Sequence, residues 1–192
     1  MPRRSPAHQL DPADGPTPGS SASAGPDADP VEVARAVVLR QLTNGPRTRA
    51  QLAEALRRRS VPDEAAQQVL DRFGELGYVD DDAFAHAWVE SRHNGRGLAR
   101  RALAHELRQR GVADETARAA LEAVDAESER ATAQRLARRR LASMRTLPRD
   151  VVTRRLVAML ARKGYPPSVA GSVVRELLGE DVDGVMGVDV GD

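Results

Sequence analysis

Cysteine is absent from the 192 residues, and aromatic side chains make up only 3% of them, namely one Trp, two Tyr and two Phe. The first absence excludes disulfides, thiolate metal sites and Cys nucleophiles together. The second leaves a core to be built from Leu, Val and Ala, which favours packed helices, since strands draw on β-branched and aromatic residues. No run approaches the roughly 20 apolar residues of a membrane span. The start Met1-Pro2-Arg3-Arg4-Ser5-Pro6 is followed by no apolar signal region, so a cytoplasmic protein with no membrane attachment is expected. The four histidines, His8, His86, His93 and His105, form no ligand set and are expected at surface or boundary positions. Serines are scattered with no identifiable base. No enzymatic activity, cofactor or bound metal is expected.

What is abundant is arginine, and its distribution is uneven. Lys163 is the only lysine among 29 cations. The formal net charge of +1 conceals acidic ends: residues 31–178 hold 27 basic and 19 acidic residues, a net +8. A basic body between acidic tails suits a polyanionic partner, although an Arg-rich codon bias gives the same count. Residues 1–30 carry Pro at 2, 6, 12, 16, 18, 26 and 30 and read as a disordered Pro/Gly/Ser/Asp-rich tail. Residues 179–192 read as an acidic Gly-rich tail outside the core.

Between the tails the chain repeats itself with a period near 50 residues. Leu52, Leu56, Val61, Ala66 and Leu70 match Leu103, Leu107, Val112, Ala117 and Leu121, then Leu156, Leu160, Tyr165, Ala170 and Val174, with no insertion or deletion. The first two and last two positions of each window make helical stripes, and the middle one lies in a turn, where it would plug the gap between two helices. Gly111 and Gly164 suit the residue that ends a helix, and Pro62 and Pro167 suit the start of the next. A further helix precedes each window, at 31–42, 82–92 and 126–142. Its apolar residues are Val38 and Leu42, Phe84 and Trp88, then Leu136 and Leu141. The expected fold is therefore all-α: three tandem three-helix repeats at 31–80, 81–124 and 125–178, in an elongated, curved row. Each unit is marginal alone, so neighbouring units are expected to pack.

The most distinctive string is Gly77-Tyr78-Val79-Asp80-Asp81-Asp82-Ala83-Phe84-Ala85. Three adjacent carboxylates invite a divalent metal or acid/base chemistry. The simpler account is structural: Gly77 ends one helix, an Asp caps the next, and Phe84 and Trp88 enter the core. Trp88-Val89-Glu90-Ser91-Arg92 follows, then Asn94-Gly95-Arg96-Gly97, read as a loop, and the run Leu103 to Val112 with Glu106-Leu107 and Gly111. In this order of elements the chain resembles the RecX family of regulatory proteins, over about residues 33 to 178 and most clearly from 70 to 124.

The resemblance implies a monomeric, non-enzymatic protein that binds RecA and the RecA–DNA filament and lowers RecA ATPase and strand-exchange activity, with weak direct DNA binding at most. Cations that could face such a partner are Arg57-Arg58-Arg59, Arg96 with Arg100 and Arg101, Arg108, and Arg138-Arg139-Arg140. A solvated face is the default for consecutive arginines. Arg100 and Arg101, however, open a helix, where positive charge opposes the dipole unless an anion compensates. Two rivals stay open. One is a helix-turn-helix DNA-binding transcriptional regulator, and the other a generic helical scaffold.

Overall fold

The computed structural model describes residues 29–185, with side chains through 179, and the tail readings for 1–28 and 186–192 lie outside them. Among the described residues every regular element is helical: α1 (Pro30–Thr43), α2 (Arg49–Arg57), α3 (Asp63–Glu75), α4 (Asp81–Arg96), α5 (Arg100–Gln109), α6 (Asp114–Leu121), α7 (Ala126–Leu141), α8 (Arg149–Arg162) and α9 (Pro167–Val185). All substantial helix-on-helix packing stays within the trios α1–α3, α4–α6 and α7–α9, so the all-α reading with three tandem three-helix repeats holds. No described helix is long and apolar enough to cross a membrane.

Each trio builds a core largely its own, although Ala99, between α4 and α5, joins the third. Leu52, Leu56, Val61 and Leu70 gather with Val38 and Phe73 in the first. Leu103, Leu107, Val112 and Leu121 gather with Phe84 and Val89 in the second, and Leu156, Leu160, Tyr165 and Val174 with Ala133 and Ala137 in the third. Of the fifteen repeat positions only Ala66 misses the interior: Ala65 is buried in its place, and Ala66 packs at the edge. The leading helices differ in how they reach their cores. Val38 and Phe84 are buried, whereas Leu42, Trp88, Leu136 and Leu141 cover the core from its margin. In α7 the buried face is instead small, formed by Thr132, Ala133 and Ala137.

The turn between the second and third helices is the same in all three repeats. The amides of Val61, Val112 and Tyr165 donate to the carbonyls of Leu56, Leu107 and Leu160, five residues back. One residue earlier, Ser60, Gly111 and Gly164 donate to Arg57, Arg108 and Ala161. These paired bonds are the Schellman closure, which needs a left-handed residue just past the helix end. Gly111 (φ 75°) and Gly164 (φ 91°) supply it as expected. Repeat one puts Ser60 there at φ 55°, the only non-glycine with positive φ among the described residues.

The segment expected to be a loop at Asn94–Gly97 is largely helix. α4 runs through Arg96, and Gly97 is its left-handed cap. The helix persists because its inner face stays engaged through His93, which is buried and bonds Leu98 O through Nδ1 (2.9 Å) and Thr132 Oγ1 through Nε2 (3.2 Å). This histidine therefore belongs to the boundary between repeats two and three. At the other end, α9 continues past residue 178, where composition placed the start of a tail. Leu177 and Leu178 are buried, and the helix carries on beyond them to Val185.

The repeats are joined at the ends of their middle helices, and the two junctions follow one plan. At the first, the buried Thr48 caps α2 and donates its hydroxyl to the Arg110 carbonyl at the end of α5 (2.6 Å). At the second, the amide of Ala99, which precedes α5, donates to the Lys163 carbonyl at the end of α8 (2.9 Å). The first amides of α2 and α5 are then capped by an acid from the following repeat: Arg49 N by Asp81 (2.8 Å) and Arg100 N by Glu129 (2.9 Å). A Cβ on Gly111 would lie 2.3 Å from Ala50 Cβ, and one on Gly164 would lie 2.7 Å from Ala102 Cβ. Both turn glycines thus also permit the close approach between repeats. Asp80 caps its own helix through Ala83 N (2.8 Å). The capping account of the acidic string therefore extends to a second acid, Asp81, that caps a neighbour.

Two predictions follow from these ends. Ser60→Gly removes the left-handed penalty and should stabilise the protein by about 0.5–1 kcal/mol in chemical denaturation; a lower midpoint would show that the Ser60 side chain contributes something the geometry does not reveal. Tyr165 is 3% exposed and donates its hydroxyl to Gly97 O at 3.2 Å across the second junction. Burial, reinforced by the nearby Glu129 and opposed by Arg135, pushes its pKa up from 10.0 to about 12. A folded pKa above the unfolded one means that this stabilisation is complete below pH 10 and is lost as pH rises through about 12. Unfolding measured across that window should show a steeper alkaline loss in wild type than in Tyr165→Phe, and equal slopes would remove Tyr165 from the junction's energetics.

Candidate partner-facing surface

Divided at the repeats, the charge of the body separates sharply. Residues 31–80 carry a net +1, residues 81–124 carry 0, and residues 125–178 carry +7, which becomes +4 when the acids at 180, 181 and 183, in the last turns of α9, are counted with the third trio. From Arg130 to Arg149 there are seven arginines and no acid. Four of them, Arg138 to Arg140 in the last turn of α7 and Arg145 just beyond, are exposed at the α7–α8 corner, where α7's negative helix end favours cations. Arg149, Arg154, Arg155 and Arg162 continue an exposed basic surface along α8. Within repeat three Arg130 pairs with Glu176.

The other arginines singled out by sequence separate into engaged and open groups. Arg57 and Arg58 are exposed but both bond Glu54, Arg58 at 3.0 Å. Those two guanidiniums hold the Glu54 carboxyl below its usual range. Arg59 and Arg108 are exposed. Arg96, Arg100 and Arg101 do not form one open cluster. Arg100 is half-buried and its guanidinium donates to Val124 O at 3.0 Å, while its amide is capped by Glu129. The anion that the start of α5 requires therefore comes from the chain itself. Arg96 and Arg101 remain exposed.

Three cations that sequence reasoning passed over meet between repeats one and two. Arg92 and Arg110 hold their guanidinium carbons 4.0 and 3.5 Å from the Trp88 ring centroid. The indole N–H donates to Glu106 at 2.8 Å, and Arg92 approaches the same carboxylate oxygen at 3.7 Å. Arg47 completes the group, and its buried Nε has no hydrogen-bond partner. Burial, with Arg92 and Arg47 nearby, lowers the pKa of Arg110 against the opposing pull of Glu106. A groove of about 440 Å³ runs here, walled by Arg47, Arg58, Arg108 and Arg110 together with Gln41 and Gln109. Beside it lies an apolar pocket of about 440 Å³ lined by Tyr78, Ala83, Phe84, Ala87 and Trp88, with Arg47 common to both. No run of arginines marks these positions; only the spacing of Trp88 and Arg92 on one helical face hints at the pair.

The acidic string serves helix capping. Asp80 and Asp81 each accept a helix-end amide, and no described group of three or more His, Asp or Glu side chains is placed to hold a metal. Nor do the third helices of repeats one and two offer a base-reading face. In α3, Gln67 is turned onto Asp71, which Arg49 also binds, and α6 has Arg118 alone.

Comparison with known proteins gives a consistent result. Residues 34–73, 80–121 and 127–174 match the family models described as the first, second and third three-helix domains of RecX. The chain is 56% identical over 181 residues to the regulatory protein RecX of Thermobifida fusca, covering 93% of this chain and 96% of that one. It is also 56% identical over 168 residues to the regulatory protein RecX of Streptomyces coelicolor, covering 87% and 89% of the two chains. A crystal structure of RecX from Lactobacillus salivarius shares the fold with a TM-score of 0.69 at 18% identity, over 78% of this chain and 97% of that one.

The division between engaged and open arginines is testable at adjacent positions. Arg100→Ala should cost about 1–2 kcal/mol, because it strips Val124 O of its partner in a half-buried setting. Arg101→Ala should stay within about 0.5 kcal/mol. Urea midpoints for the two variants that coincide would mean that Arg100 is as dispensable to the fold as its neighbour.

Proposed function

Because the chain belongs to the RecX family of regulatory proteins, we propose that it binds the RecA–DNA filament and lowers RecA ATPase and strand-exchange activity, modulating recombination and DNA repair in the cytoplasm. It acts as a monomer and without catalysis of its own, by blocking filament growth or promoting disassembly. The observation that carries the reading beyond family membership is the acid-free run of seven arginines from Arg130 to Arg149 in repeat three, beside two nearly neutral repeats. Such a distribution suits a chain that lies along a nucleoprotein filament with one end on phosphate. Arg138, Arg139, Arg140 and Arg145 supply the phosphate-facing corner, and Arg59, Arg96, Arg101 and Arg108 are open to further contact along the row. Direct binding to DNA alone is weak and indifferent to sequence, since phosphate contacts position a protein without reading bases.

The decisive measurement is RecA-catalysed, single-strand-DNA-dependent ATP hydrolysis, using RecA from the same source and substoichiometric doses of this protein. Wild type should suppress hydrolysis. The variant combining Arg139→Ala, Arg140→Ala and Arg145→Ala should fold normally yet suppress less. Its binding to oligothymidylate should have a logarithmic salt slope flatter by up to about two units, at roughly 0.7 unit per phosphate lost on single strands. Undiminished suppression together with an unchanged slope would make the corner a solvated face, and sequence-selective binding to duplex DNA would favour a transcriptional regulator instead.

A further inference from the structure

The junction of repeats one and two gathers three cations about a single carboxylate. Arg47, Arg92 and Arg110 lie close enough for Arg110 to feel the other two, and one carboxylate, Glu106, stands among them, already shared by the Trp88 indole and Arg92. The nearest other acid of the groove, Glu54, is occupied by Arg57 and Arg58. Arg47 Nε is the one buried side-chain nitrogen or oxygen without a hydrogen-bond partner among the described residues, and Arg47 lines both the basic groove and the apolar pocket. Tyr78, 66% exposed at the pocket's rim, is the most exposed large apolar side chain of the described residues. Its ring rests on Phe73 and leaves the remainder to solvent. A buried guanidinium nitrogen without a partner and an open apolar cavity both cost free energy in the isolated protein, and Arg47 lines that cavity, so one occupant can satisfy both.

We propose that this groove and pocket form the protein-docking site of the chain, which takes a segment of RecA presenting carboxylates beside an apolar anchor side chain. The assignment rests on the functional reading above and adds to it where the protein half of the filament is held. Several features favour a protein segment over nucleic acid. Repeats one and two are nearly neutral overall, so they lack the extended field that draws a phosphate backbone, which repeat three has. The Trp88 ring already carries two guanidiniums and stacks on Phe84 at 5.7 Å, so it offers no free platform for a base. The pocket is instead lined by Tyr78, Phe84 and Trp88 with Ala83 and Ala87, as an aliphatic or aromatic anchor requires. Gln41, Gln51 and Gln109 along the groove provide both donors and acceptors for a peptide backbone.

The test compares two changes that attack the site differently. Arg47→Glu reverses its unpartnered charge, and Ala87→Trp, on the exposed face of α4, fills the pocket without removing any charge. Circular dichroism and thermal melting verify the fold of each. Binding of labelled full-length protein is then followed on RecA–DNA filaments and on naked oligothymidylate, beside the repeat-three triple variant. Both junction variants should lose about tenfold or more in filament affinity while binding oligothymidylate as wild type does, and the repeat-three variant should lose oligothymidylate binding. Wild-type filament affinity in either folded junction variant would overturn the assignment. So would loss of oligothymidylate binding in the junction variants, which would give the groove to nucleic acid. A wild type that binds no form of the filament sinks the functional reading itself, an outcome separate from failure of the groove alone.

Discussion

The structure depends on the capping of one helix by the next repeat. A middle helix such as α2 or α5 begins with amides that its own ladder cannot satisfy. Here the first of them is met by Asp81 or Glu129 from the leading helix of the following repeat. The preceding residue reaches the carbonyl at the far end of the following middle helix, so the positive end of one helix abuts the negative end of another. The apolar cores lie largely within single repeats, so these polar links, together with close contacts such as Ala99 in the third core, orient one repeat against its neighbour. Each such cap is worth about 0.5–2 kcal/mol, which is substantial beside the small stability of a 50-residue unit. The glycines at Gly111 and Gly164 allow the approach that brings donor and acceptor together.

The two junctions are nevertheless not equal. The second adds Tyr165 to Gly97 O, Lys163 to Arg96 O and His93 to Thr132, whereas the first has no counterpart to these three bonds. It offers instead the groove and pocket that share Arg47. A junction with fewer ties and more open polar surface is where a partner segment can enter without displacing bonds the fold already uses.

Much of this was legible in the sequence because burial repeats with the fold. Leu52 and Leu56, Leu103 and Leu107, and Leu156 and Leu160 recur at one spacing, and any chain that buries them at that spacing must form the same helical pair three times. The left-handed glycines were equally readable, since their position follows from the helix end. Ser60 was not, because serine gives no local sign of positive φ. The segment Asn94–Gly97 read as a loop from its glycines, yet α4 continues through it, held by His93, whose partner Thr132 lies 39 residues further on. Local composition cannot register an anchor so distant.

The arginines show the same limit from the side of function. Adjacent cations in sequence suggested Arg96, Arg100 and Arg101 as one cluster, and the fold divides them because Arg100 finds Val124 O and a cap from Glu129. Isolated cations gave no signal, and the fold brings Arg47, Arg92 and Arg110 together around Trp88. A run of like charge is a weak guide because consecutive helical positions point apart, whereas a site needs side chains that converge from different elements. What identifies open cations is the absence of a partner once capping and pairing are complete. By that criterion Arg100 belongs to the scaffold, and Arg47 belongs to recognition although nothing around it in the sequence marks it.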